Sequence, residues 1–137
     1  MPSLNKVFLM GNLTRDPELR YTPAGLGVAT FNMAVNTPAG KDENGNIKTE
    51  TLFVDVVVFG RLAEAVGEFL TKGFPVFVEG RLRYRTWEDS NGIRRSKHEV
   101  LANKIQFLSA LKNMPAEEEE RQSNFMVEIS GDNDVPF

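Results

Sequence analysis

The chain has no cysteine, one histidine and one tryptophan among its 137 residues. Without cysteine there can be no disulfide framework and no thiolate metal site. A lone histidine, His98, sits between Lys97 and Glu99 in a strand-like run and has no partner for acid–base or metal chemistry. Its plain reading is a surface side chain. No apolar run approaches the roughly 18 residues that a membrane helix needs. The opening stretch MPSLNKVFLMGNL lacks the apolar core of a secretory signal, so the expected location is the cytoplasm. In that setting the Asn12-Leu13-Thr14 sequon is a coincidence. There is no Walker loop, and Gly25-Leu26-Gly27 runs on without the third glycine of a dinucleotide fingerprint. No carboxylate pair or metal-ligand cluster is apparent. The expectation is a protein that is not an enzyme and has no cofactor and no metal.

Charge is divided unevenly along the chain. The formal net charge is −3, which argues against a nucleic-acid ligand until it is split. Residues 1–112 carry 15 lysines and arginines against 12 acids, net +3. Residues 113–137 carry one arginine against seven acids, net −6. A mildly basic body is followed by an acidic tail.

Hydrophobic periodicity organises the body. Strands are expected at 4–13, 28–36, 49–59, 74–88 and 96–111, with a short extended piece at 19–21 inside a turn-rich segment. Asn44-Gly45 and Asn91-Gly92 are hairpin signals. Residues 37–46 read as a loop. Between the third and fourth strands the period changes. Leu62, Val66, Phe69 and Leu70 form a helical stripe over 61–73, with Gly73 as its stop. Three strands, one helix and two strands is the chain order of an all-β, five-stranded OB-fold barrel. A five-stranded sandwich with an incidental helix is the alternative. The body would span 1–111, followed by a flexible acidic linker at 112–131 and a tip at 132–137.

The stretch FVEGRLRYRTW, residues 77–87, carries the chemistry. As a strand it places Phe77, Glu79, Arg81, Arg83, Arg85 and Trp87 on one face. Val76, Val78, Gly80, Leu82, Tyr84 and Thr86 take the other, which is expected to enter the core. Three arginines beside an aromatic suit a ligand with anionic groups and flat rings. Single-stranded nucleic acid has both, and arginine can bond phosphate and stack on rings. Phe53 and Phe59 share a face of the preceding strand and could extend the stacking surface, or form a second core face.

Four separated segments carry a resemblance: LMGNLTRDPELRYTPAG (9–25), VVVFGRLAEAVGEFLTKG (56–73), VFVEGRLRYRTWEDSNG (76–92) and DNDVPF (132–137). Together they resemble a bacterial-type single-stranded DNA-binding protein. The resemblance implies a non-catalytic homotetramer, nucleoid-associated, that coats single strands in replication, repair and recombination. It implies base stacking on Trp87, Phe53 and Phe59, and phosphate contacts from Lys6, Arg61, Lys72, Arg83 and Arg85; Arg81 is added from spacing. It also implies that Asp132, Asp134, Val135, Pro136 and Phe137 dock on replication and repair proteins. Ala39 stands where the best-known members carry a loop tryptophan, and Phe53 where tryptophan is common. Val54-Asp55 replaces a more basic pair, and Asp55 would repel phosphate if it faced the groove. An enzyme on an OB-like scaffold and an OB module serving assembly or translation are the rival readings.

Overall fold

The structure is a computed structural model that describes residues 1–108. The strands are β1 (Val7–Leu13), β2 (Glu18–Tyr21), β3 (Gly27–Lys41), β4 (Ile47–Phe59), β5 (Pro75–Glu88) and β6 (Arg94–Phe107). One helix, α1 (Arg61–Phe69), lies between β4 and β5. The sheet runs β1-β5-β6-β4-β3-β2, and β1 pairs with β3 as well. That extra pairing, Asn12 with Ala34 and Leu13 with Met33, closes β1, β5, β6, β4 and β3 into a five-stranded OB-fold barrel. The β4–β6 pair is parallel and short, with Val56 opposite Val100 and Val57 opposite Leu101.

Three connections use one turn design, at Thr22–Leu26, Asp42–Asn46 and Asp89–Ile93. In each, the first residue's N–H donates to the carbonyl of the fifth, at 2.8–2.9 Å. The first residue's side-chain oxygen accepts the N–H of the fifth. The fourth residue is Gly25, Gly45 or Gly92, with φ of 89°, 82° and 75°. Only glycine takes that left-handed backbone without a Cβ penalty. The Asn-Gly signals therefore mark hairpins because glycine supplies this position and an aspartate three residues before it supplies the acceptor.

The core follows from alternation. Ala29, Phe31 and Met33 of β3, Val56 and Val58 of β4, Val76 and Val78 of β5, and Val100, Ala102, Ile105 and Phe107 of β6 point inward and are buried. Leu62, Ala63, Ala65 and Val66 of α1 pack on the same core.

Several expectations need correction. The strand expected to end at 36 continues to Lys41, pairing Pro38 with Thr49 and Lys41 with Ile47. Ala39 thus lies in a strand arm rather than a loop. The helix ends at Phe69 because Leu70 turns to extended backbone while its N–H still bonds Val66. Gly73 belongs to the following turn. The short extended piece expected at 19–21 is present as β2, added outside β3. Leu82 and Tyr84 are exposed instead of buried. Among the described residues nothing covers that side of the β5–β6 hairpin past the register shift at Glu79/Gly80. The positions 109–111 of the last strand, the linker and the tip lie outside the described residues.

Candidate nucleic-acid interface

The outer faces of β3, β4, β5 and β6 form an open groove of about 380 Å³. Its floor includes Val28, Thr30 and Val57, and its walls carry Phe59, Arg83, Arg85 and Lys97. Arg15, from the segment before β2, also lines it. Alternation explains the set. Residues 55, 57 and 59 share one face of β4, and the register of β5 on β6 sets Arg83 opposite Glu99 and Arg85 opposite Lys97.

The two groove arginines of β5 each lie against a ring. The Arg85 guanidinium is 4.5 Å from the centre of the Trp87 ring, and that of Arg83 is 5.9 Å from Phe59. Both distances are within cation–π range. Two acids share the groove. Arg85 Nε–H donates to Glu99 Oε1 at 2.6 Å, and an Arg83 terminal nitrogen reaches the same oxygen at 3.4 Å. Asp55 accepts from Asn32 at 2.9 Å and from Lys97 at 2.7 Å. Asn32 in turn accepts from Thr14 Oγ1 at 2.8 Å. Partial burial pushes the Asp55 carboxyl upward. The bonds from Lys97 and Asn32, with the charges of Lys97 and Arg15, outweigh it and hold the pKa below the usual aspartate range. Asp55 does face the groove, but as half of an ion pair and not as a bare repulsive charge.

The model of the single-strand binding protein family matches residues 4–108. The chain belongs to the single-strand binding protein family. A single-stranded DNA-binding protein of Wolinella succinogenes is 46% identical over 106 residues, covering 77% of this chain and 65% of that one. One from Helicobacter hepaticus is 43% identical, covering 77% and 62%. The chain therefore spans under two thirds of the length of these relatives. A crystal structure of a deletion mutant of the single-stranded DNA binding protein from Thermus aquaticus superposes with a TM-score of 0.67 at 42% identity. That match covers 77% of this chain and 50% of that one.

In this member of the family the expected site residues fall into two groups. Phe59, Arg83 and Arg85 line the groove, and Trp87 joins them through Arg85. Phe53 stands four residues before Val57 on the same face of β4, with 65% of its surface exposed. Lys6, Arg61, Lys72 and Arg81 do not line the groove. Lys6 pairs with Glu79 at 3.4 Å and lies 5.8 Å from the centre of the Phe8 ring, on the β1–β5 side of the barrel. Arg61 opens α1. The Lys72 backbone N–H bonds Asp16 at 2.8 Å. Sequence reasoning missed Arg15, Lys97 and Glu99. The signal for Lys97 and Glu99 was their alternation on the last strand, which gains meaning for Glu99 from the β5–β6 register and for Lys97 only once β6 is known to lie beside β4; Arg15 had no such signal. His98 points the other way, its ring 5.0 Å from Tyr84. Among the described residues no group of three His, Cys, Asp or Glu could hold a metal ion, and no helix is long and apolar enough to cross a membrane.

Proposed function

We propose that this protein binds single-stranded DNA with little sequence preference and has no catalytic step of its own. The observation that carries the reading is the pairing of Arg83 and Arg85 with the rings of Phe59 and Trp87 on one open face. Phosphates would lie along Arg15, Lys97, Arg83 and Arg85, and bases would stack on Trp87, Phe59 and Phe53. Every base presents a π-face, so stacking tolerates any sequence. An open groove suits a flexible strand, whereas a duplex hides its bases. Lys6, Arg61, Lys72 and Arg81 would then serve a strand that continues around the barrel.

The wider role follows the family. The protein would coat exposed strands in replication, repair and recombination, in the cytoplasm at the nucleoid. A homotetramer is supported by the large apolar side chains of Phe8 and Met10, which β1 exposes, and by Leu82 and Tyr84 on the β5–β6 hairpin. The acidic tip, Asp132, Asp134, Val135, Pro136 and Phe137, would recruit partner proteins by seating its ring in an apolar pocket and its carboxylates on a basic rim.

The test is quenching of the single tryptophan on titration with oligo-dT and with duplex of equal length. Strong quenching by oligo-dT alone is expected. An equal response to both would overturn the reading. Sedimentation of the full chain checks the tetramer.

A further inference from the structure

We infer that Glu99 is a positioning residue of the groove: it holds Arg83 and Arg85 in their stacked geometry before a strand arrives. The inference rests on the single-strand reading above and adds a role to a residue that touches no ligand in it.

Glu99 is 1% exposed and is the buried charged residue among those described. It follows Lys97 and His98 and precedes the apolar run Val100, Leu101 and Ala102. An apolar side chain would continue that run without the cost of desolvating a carboxylate, which for an unpaired ion is comparable to a whole domain's stability margin. Charge balance also argues against an acid here, because the groove is offered to phosphate. A carboxylate in this place needs a compensating role, and the bonds to the two arginines supply one.

Glu99 Oε1 takes Arg85 through Nε at 2.6 Å and reaches Arg83 through a terminal nitrogen at 3.4 Å. The same two guanidiniums are the ones that lie on Trp87 and Phe59. One carboxylate thus links both arginine–ring pairs. A free arginine carries substantial rotamer entropy, lost on binding unless it has been lost already. Tethering moves that loss into folding and leaves the arginines set for the ligand. Bonding through Nε also leaves both terminal nitrogens of Arg85 outside that contact.

Two explanations predict opposite signs. If Glu99 were only a negative charge in an anion-binding groove, its removal would tighten DNA binding. If it positions the arginines, removal weakens binding. Because Trp87 is the sole tryptophan of the chain, its emission reads the Arg85–Trp87 stack with no DNA present. In the full chain, Glu99→Gln is expected to move the DNA-free emission to longer wavelength and to weaken oligo-dT binding about fivefold. Glu99→Asp withdraws the carboxylate by one methylene at constant charge, and is expected to produce the same two changes more weakly. It carries the test if the Gln variant does not fold. Unchanged DNA-free emission, or a gain in affinity, in a folded variant overturns the inference. Failure of the unsubstituted protein to bind oligo-dT would instead sink the functional reading, and the DNA-free emission would still decide whether Glu99 holds the stack.

Discussion

Lys97 Nζ lies 2.7 Å from Asp55 Oδ2, so an ion pair joins the last strand to the fourth across the groove. This groove cation is already paired with a carboxylate before any ligand arrives. Asp55→Asn is therefore expected to raise affinity for oligo-dT about two- to fivefold. It should also steepen the plot of log affinity against log salt by up to about one, as one more cation becomes available to phosphate. Titrations at three salt concentrations check both.

The same carboxylate makes stability depend on pH. Its folded pKa is held below the ordinary aspartate value, so it favours the folded state at pH above the unfolded value. That contribution is lost as pH falls below about 4 and through the lower folded pKa. Thermal melts from neutral pH down to about 3 should show a steeper acid limb in the unsubstituted protein than in Asp55→Asn.

Trp87 and Phe53 offer platforms of different quality. Trp87 is partly buried and braced by Arg85 at 4.5 Å, whereas Phe53 is 65% exposed. Trp87→Ala should cost about 1–3 kcal/mol of oligo-dT binding. Phe53→Ala should cost less, because an unbraced ring must be ordered when a base stacks on it. Calorimetric titration of the two variants gives the comparison; equal losses would contradict it.

Gly80 sits where β5 meets β6 at the register shift. A Cβ placed there would stand 2.3 Å from the Leu101 carbonyl oxygen, which is backbone and cannot swing aside. Gly80→Ala should destabilise the barrel by about 1–3 kcal/mol and lower the melting temperature accordingly. Binding per folded molecule should change little, which separates this effect from loss of a groove contact.

Phe107 closes the barrel end beneath the helix. It is buried, with ring centres of Phe69 at 6.3 Å and Phe74 at 6.4 Å. Phe107→Ala should cost about 3–5 kcal/mol by lost transfer energy and the cavity left behind. Urea unfolding with an unchanged slope is the expected signature.

What could be read without coordinates was local. Alternation within one strand put Arg83, Arg85 and Trp87 on one face, because side chains on a strand repeat every two residues whatever lies beside it. The change of period at Arg61 announced the helix, and Asn44-Gly45 and Asn91-Gly92 announced two hairpins. The same alternation puts Leu82 and Tyr84 on the core-side face of β5, yet both are exposed, since period two says which residues share a face but not what covers it. Tertiary structure alone decided that β6 runs parallel to β4 at Val56 and Val100. That neighbour relation brings Lys97 to Asp55, 42 residues away in the chain, whereas Glu99 reaches Arg83 and Arg85 through the β5–β6 hairpin, whose register sets Arg83 opposite Glu99. Barrel closure sets the β4–β6 relation, because the energy of closing depends on all five strands at once and leaves no mark on any one of them.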